Sequence, residues 1–281
     1  MKHKIKLLVV AGLLLAVSSA LGAPQFSSLK NSKGEIVYQE KSNKEIHPRK
    51  SSEDELKQLM IVNYVWDHEI KSGEAAVIYV AKNNPEQQLH IRANNETLTK
   101  IDEVRNKLKS SGVSVPSKLP GNFKFSHAEI LMSNTAYDKP YTDKEKIELA
   151  QKLQKQAAAA KKEYAVMPIK TTDRLMNARM FYKLGKKELV LDVYNAGKGI
   201  VTSYVEENNA VSKTVISINM AEVLVTSDKE AGTADLTWVV EQPKTGEKLQ
   251  YKLSSWSNVK DAKDRVSDKE LKSIAKELIK K

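Results

Sequence analysis

Apolar positions in this chain recur with two periods, and each period predicts its own elements. Ser52 and Glu55 form an S-x-x-E capping box, in which side chain and backbone satisfy each other's amide donors at a helix start. Leu56, Leu59 and Met60 follow at the i, i+3, i+4 spacing of a helix running toward Trp66. Ala75 to Ala81 is an apolar run rich in β-branched residues, which predicts a buried strand. Asn83-Asn84-Pro85 is a turn signal, and Leu89, Ile91 and Ala93 alternate in a second strand that can pair with the first as a hairpin. Leu98, Ile101, Val104, Arg105 and Leu108 return to helical spacing, with Gly112 as the stop. Pro116 and Pro120 interrupt the segment Val115 to Gly121, so no regular element crosses it. Phe123 and Phe125 open an alternating stretch that runs to Leu131.

A second capping box, Thr142 with Glu145, predicts a helix over 142–164 with the stripe Ile147, Ala150, Leu153, Ala157 and Tyr164. Four alternating segments follow, centred on Leu189-Leu191-Val193, Ile216-Ile218-Met220, Leu236-Trp238-Val240 and Leu249-Tyr251-Leu253. Each has the period of a strand buried on one face, as in an antiparallel sheet. Pro243 to Glu247 forms the hairpin loop between the last two. A third capping box, Ser267 with Glu270, starts a closing helix lined by Leu271, Ile274, Ala275 and Leu278. The expected fold is α+β: a curved antiparallel sheet with helices packed on one face, plus a smaller mixed N-terminal unit. The expected boundaries are a leader at 1–22, a linker at 23–51, a mixed helix/strand unit at 52–114 and an α+β domain at 115–281. The last of these carries 142–164 as an inserted helix. Within 23–51 the short apolar stretch Ile36-Val37-Tyr38 also fits a weak edge strand.

Charge and composition add a location. Lys2, Lys4 and Lys6 precede an apolar run from Leu7 to Val17, then small residues through Ala23. That order is a secretory signal peptide, cleaved after Gly22 or retained as an anchor. The chain has no cysteine, which excludes disulfides and thiolate metal sites. Its net charge is +11, and removing the three leader lysines leaves +8 (11 − 3). Such a charge favours anionic surroundings. Export and the absence of an aromatic-interleaved basic motif argue against nucleic acid as the partner.

Candidate chemistry is sparse. None of the five histidines stands in a metalloprotease spacing, and Asp67-His68-Glu69 are neighbours whose side chains diverge. There is no G-x-S-x-G nucleophile elbow, and Gly197-Lys198-Gly199 reads as a turn. No catalytic, metal-binding or cofactor-binding residue is assigned. His90 and Arg92 would share one face of a strand and could meet an anion or a partner. Trp238 fits a core position, whereas Trp256 stands among serines and is the better contact aromatic.

The run Val-Pro-Ser-Lys-Leu-Pro-Gly-Asn-Phe, the segment Leu-Val-Leu-Asp-Val-Tyr, the tryptophan and tyrosine strands and the capped last helix give 115–281 a resemblance. It resembles an uncharacterised extracytoplasmic domain family of Gram-positive bacteria, found C-terminally in anti-sigma-factor-like and sporulation-associated proteins. The resemblance implies an envelope-facing location and no catalytic residues. The helix 142–164 and the lack of a cytoplasmic anti-sigma region before the leader depart from that pattern. The expectation is an exported, non-enzymatic domain that binds or senses an envelope protein or an anionic cell-wall or membrane surface. The alternatives are a carrier holding a lipid or other apolar ligand in the concave face of the sheet, and a cell-wall hydrolase.

Overall fold

A computed structural model describes residues 26–47, 49–206, 208, 210–228, 230, 232–255 and 265–279. The leader at 1–22 and Trp256 lie outside the described residues. In chain order the elements are β1 (Ser28–Lys30), β2 (Ile36–Ser42), α1 (Glu53–His68), β3 (Ala75–Val80), β4 (Leu89–Ala93), β5 (Glu96–Leu98) and α2 (Ile101–Lys107). Then come β6 (Lys118–Leu119), β7 (Phe123–Asn134), α3 (Thr135–Asp138), α4 (Asp143–Ala160), β8 (Tyr164–Ile169) and β9 (Thr171–Leu184). The remainder is β10 (Lys187–Asn195), β11 (Val201–Val205), β12 (Val211–Ile218), β13 (Ala221–Asp228), β14 (Thr233–Glu241), β15 (Lys248–Ser255) and α5 (Asp268–Leu278). The fold is α+β, built on open, curved antiparallel sheets.

The large sheet runs β12-β13-β14-β15-β10-β9-β7-β5, with β6 paired to β7, and every pair is antiparallel. Its inner face is the main core, where Leu189, Leu191, Val193, Trp238 and Leu253 meet α2 through Val104 and α5 through Leu271 and Ile274. The alternation read from sequence predicts that face directly. Its outer face carries a row of charges across strands, with Arg179 bonded to Asp192 at 2.8 Å and Lys252 to Asp235 at 2.8 Å. One end of the outer face is covered by a small sheet, β1-β2-β11, through Leu29, Val37, Tyr38, Val201 and Leu224.

A third sheet, β4-β3-β8, lies between two helices. Ala76, Ile78 and Val80 face α1, whereas Val77 and Tyr79 face Ala150, Leu153 and Ala157 of α4. All six residues of β3 are buried because both faces of this strand are covered.

Several sequence expectations change here. The stretch expected as a linker at 23–51 contains β1 and β2, and Leu29, Val37 and Tyr38 are buried. Its few apolar residues suffice because β2 pairs on both sides, with β1 antiparallel and β11 parallel. The α1 stripe turns over: Leu56 and Met60 are exposed, and Gln58, Val62 and Val65 are buried. A buried glutamine hid that stripe, and its side-chain amide donates to the Asn83 carbonyl. The expected helix 142–164 ends at Ala160, because Lys161 adopts the left-handed conformation and Tyr164 opens β8. Met220, expected in a strand, lies with Asn219 in a turn at φ 69° and 49°. The strand β13 after it has no counterpart in the sequence reading. The elements also interleave across residue 115. β8 completes the sheet of β3 and β4, and β5 pairs with β7 in the large sheet.

One ion pair ties the N-terminal strands to the large sheet. Glu40 on β2 meets Lys213 on β12 at 3.0 Å, with side chains 4% and 10% exposed. Glu40 also accepts from the Ser27 amide at 2.9 Å. Removing one partner of a buried pair leaves a charge without compensation. Lys213→Met is therefore expected to cost about 3 kcal/mol in urea unfolding, and Glu40→Met with Lys213→Met together to cost less than Lys213→Met alone.

Candidate functional site

A concave cleft of about 850 Å³ lies at one end of the large sheet. Three turns meet there: the 109–112 turn after α2, the loop from β10 to β11, and the β14–β15 hairpin loop. They bring Lys109, Lys198 and Lys244 to its wall, and all three are exposed. Among the described residues none of the three has a carboxylate within ion-pair distance. The floor is apolar, with buried Leu175 and Leu249.

The 109–112 turn closes on Gly112, at φ 67°. That left-handed backbone angle favours glycine, whereas the Gln242 Oε1, 2.7 Å from a Cβ built there, ends a flexible side chain that can swing aside. Ser110 fixes the same turn to β9 by donating to the Asp173 carbonyl at 2.8 Å.

Arg174 braces the wall. Its Nε donates to the Glu247 carboxylate at 3.0 Å, and its Nη1 stands 3.4 Å from Asp138. Asn195 donates to the other Glu247 oxygen at 3.2 Å. Asp138 also accepts from Ser133 at 2.7 Å and Thr172 at 2.6 Å. Burial alone would lift the Asp138 carboxyl; the bonds from Thr172, Ser133 and Arg174 outweigh it and hold the group below its ordinary value. Burial alone would lower Arg174, and its two carboxylate partners raise it instead. Arg174 thus pairs with two carboxylates of the protein, while among the described residues the three lysines pair with none.

His90 and Arg92 sit elsewhere, both on β4, and share a face as strand alternation requires. That face looks toward α1: His90 Nε2 lies 3.3 Å from the Gln58 Oε1, and Arg92 donates to the Ile91 carbonyl at 3.2 Å. Burial, aided by the Arg92 charge, lowers the His90 imidazole from its usual value. His90 borders a cavity of about 540 Å³ with Leu89, Ile91 and Tyr141, and Arg92 does not. The structure therefore does not bring these two residues to the lysine cleft.

The lysines escape sequence reasoning because no period links them. Each stands in a turn that the sequence marks: Lys109 before Gly112, Lys198 between Gly197 and Gly199, and Lys244 between Pro243 and Gly246. Lysine in glycine-bounded turns was the available signal, but only pairing of β9, β10 and β15 brings those turns together. Among the described residues no group of three or more His, Asp or Glu side chains is placed to hold a metal ion. Comparison with protein-family models, with curated proteins and with solved structures found no match.

The Asp138 network makes a pH-dependent prediction. A carboxylate held below its ordinary value stabilises the fold above the unfolded-state pKa and loses that contribution as pH falls through the folded-state one. Asp138→Asn is expected to lower stability by roughly 1 kcal/mol near neutral pH. The gap to the parent protein should close as pH drops below about 4, which denaturant unfolding across pH would read.

Proposed function

We propose that this chain is an exported, non-enzymatic binding domain of the cell envelope that takes an anionic envelope polymer in the lysine-rimmed cleft. The observation that carries the reading is the convergence of Lys109, Lys198 and Lys244 from three separate turns, each without a carboxylate partner among the described residues. Lysines on one element are commonly a solvated face; lysines from three turns around one cleft concentrate positive potential where a chain can lie. The cleft is open and its cations are mobile ammonium groups, which suits a repeating phosphate or carboxylate better than a single bidentate ligand. Arg174 positions the walls and is not counted among the contacts.

The leader pattern at Lys2 to Ala23, the +8 charge without it and the resemblance of 115–281 to an extracytoplasmic family support the location. Among the described residues no helix is long and apolar enough to cross a membrane. If the leader is cleaved after Gly22, N-terminal sequencing of protein recovered from its own cells will start at Ala23. A start at Met1 would instead indicate an anchored form.

An exposed ionic contact contributes roughly 0.5 kcal/mol, so three together correspond to about a tenfold change in affinity. Replacing Lys109, Lys198 and Lys244 by Gln is expected to weaken binding to poly(glycerol phosphate) by that factor, measured by calorimetry at low salt. Parent affinity should also fall as salt rises. Replacing the exposed Lys152, Lys155 and Lys272 by Gln removes the same net charge and should change affinity far less. Equal losses for the two triple variants would overturn the cleft as the site.

A further inference from the structure

A third cavity, of about 520 Å³, opens between α5 and the inner face of the large sheet. It is lined by Leu119, Leu191, Trp238, Val240 and Tyr251 together with Leu278 at the end of α5. Its size falls in the range of about 300–1,000 Å³ usual for small-molecule sites. The cavity arises because α5 crosses β14 and β15 and touches the 120–122 turn, leaving a gap beside the proline-bounded entry. Trp238 and Tyr251 stand opposite each other in register and stack at 5.2 Å with 7° between their planes.

Tyr251 supplies the polar group. Its side chain is partly buried, and among the described residues its hydroxyl has no hydrogen-bond partner within the protein. The comparison is Tyr182, on the same face, whose hydroxyl donates to the Pro116 carbonyl at 3.1 Å. The Tyr251 hydroxyl is not among the buried polar atoms left without a partner, so it keeps access to water at the cavity and can exchange that water for a ligand oxygen. Burial pushes the Tyr251 phenol up to about 12, so it is a protonated donor at neutral pH. Lys118 and Glu277 also border the cavity, so its polar groups are of mixed sign.

We infer that this cavity binds an acyl chain, with the apolar body against Trp238, Leu191 and Leu278 and a carbonyl or carboxylate oxygen accepting from the Tyr251 hydroxyl. A free fatty acid and a membrane lipid offer the same chemistry. The site shares only Gly112 with the lysine cleft and none of its lysines, so neither reading depends on the other.

The test titrates the full chain with sodium dodecanoate by calorimetry. In parallel, the chain is incubated with phosphatidylglycerol vesicles, repurified and analysed by native mass spectrometry. Saturable binding in either arm is expected, and the arm that shows it identifies the source. Tyr251→Phe should weaken dodecanoate binding about five- to tenfold, the worth of one hydrogen bond, with an unchanged circular dichroism spectrum. Val240 is 39% exposed, so Val240→Trp can narrow the cavity without disturbing the core and should abolish binding. No saturable binding in either arm, or equal affinity in the parent and both variants, would overturn the assignment.

Discussion

The arrangement depends on two extended crossings between the sheets. β8 belongs to the three-stranded sheet and β9 to the large one, and only Lys170 separates them. β4 and β5 make the same passage with Asn94 and Asn95 between them. Both crossings are pinned. The Thr135 amide donates to the Lys170 carbonyl at 2.9 Å, and the Asn94 side chain donates to the Trp66 and Ile70 carbonyls. Two short, hydrogen-bonded crossings leave little freedom for one sheet to rotate against the other.

That constraint reaches the lysine cleft. Asp173, Arg174 and Leu175 follow the β8–β9 crossing directly, and Asp138 lies at the end of α3, whose first residue bonds Lys170. The brace from Asp138 through Arg174 to Glu247 therefore joins the crossing to the β14–β15 hairpin, which carries Lys244. The walls of the cleft are rigid and paired, whereas its three lysines have no carboxylate partner among the described residues. This combination provides a fixed groove with an adaptable charged rim, as binding to a variable polymer requires.

The sequence revealed local order well and long-range order poorly. The three capping boxes predict the starts of α1, α4 and α5, and all three form with both reciprocal hydrogen bonds. The alternating segments predict β10, β14 and β15 because each has one buried face. What escaped prediction was set by distant partners. β13 leaves no one-sided alternation because its apolar positions serve both faces: Leu224 packs under β2 on the outer face, whereas Val223 and Val225 face the main core. The α1 stripe differs from the hydropathy pattern because Gln58 is buried and Met60 exposed, a choice made by the position of β3 and β4. The apparent boundary near residue 115 reflects proline chemistry at one turn, while strand pairing runs across it.

The candidate site was the least legible part, since a site built from three turns leaves no mark in any one of them. Residue-by-residue NMR titration with a poly(glycerol phosphate) oligomer reads where the polymer lies. Amide shifts are expected to concentrate at 109–112, 173–175, 197–199 and 242–247 and to saturate together. Shifts spread over exposed lysines throughout the chain, or confined to the His90 strand, would contradict the cleft as the site.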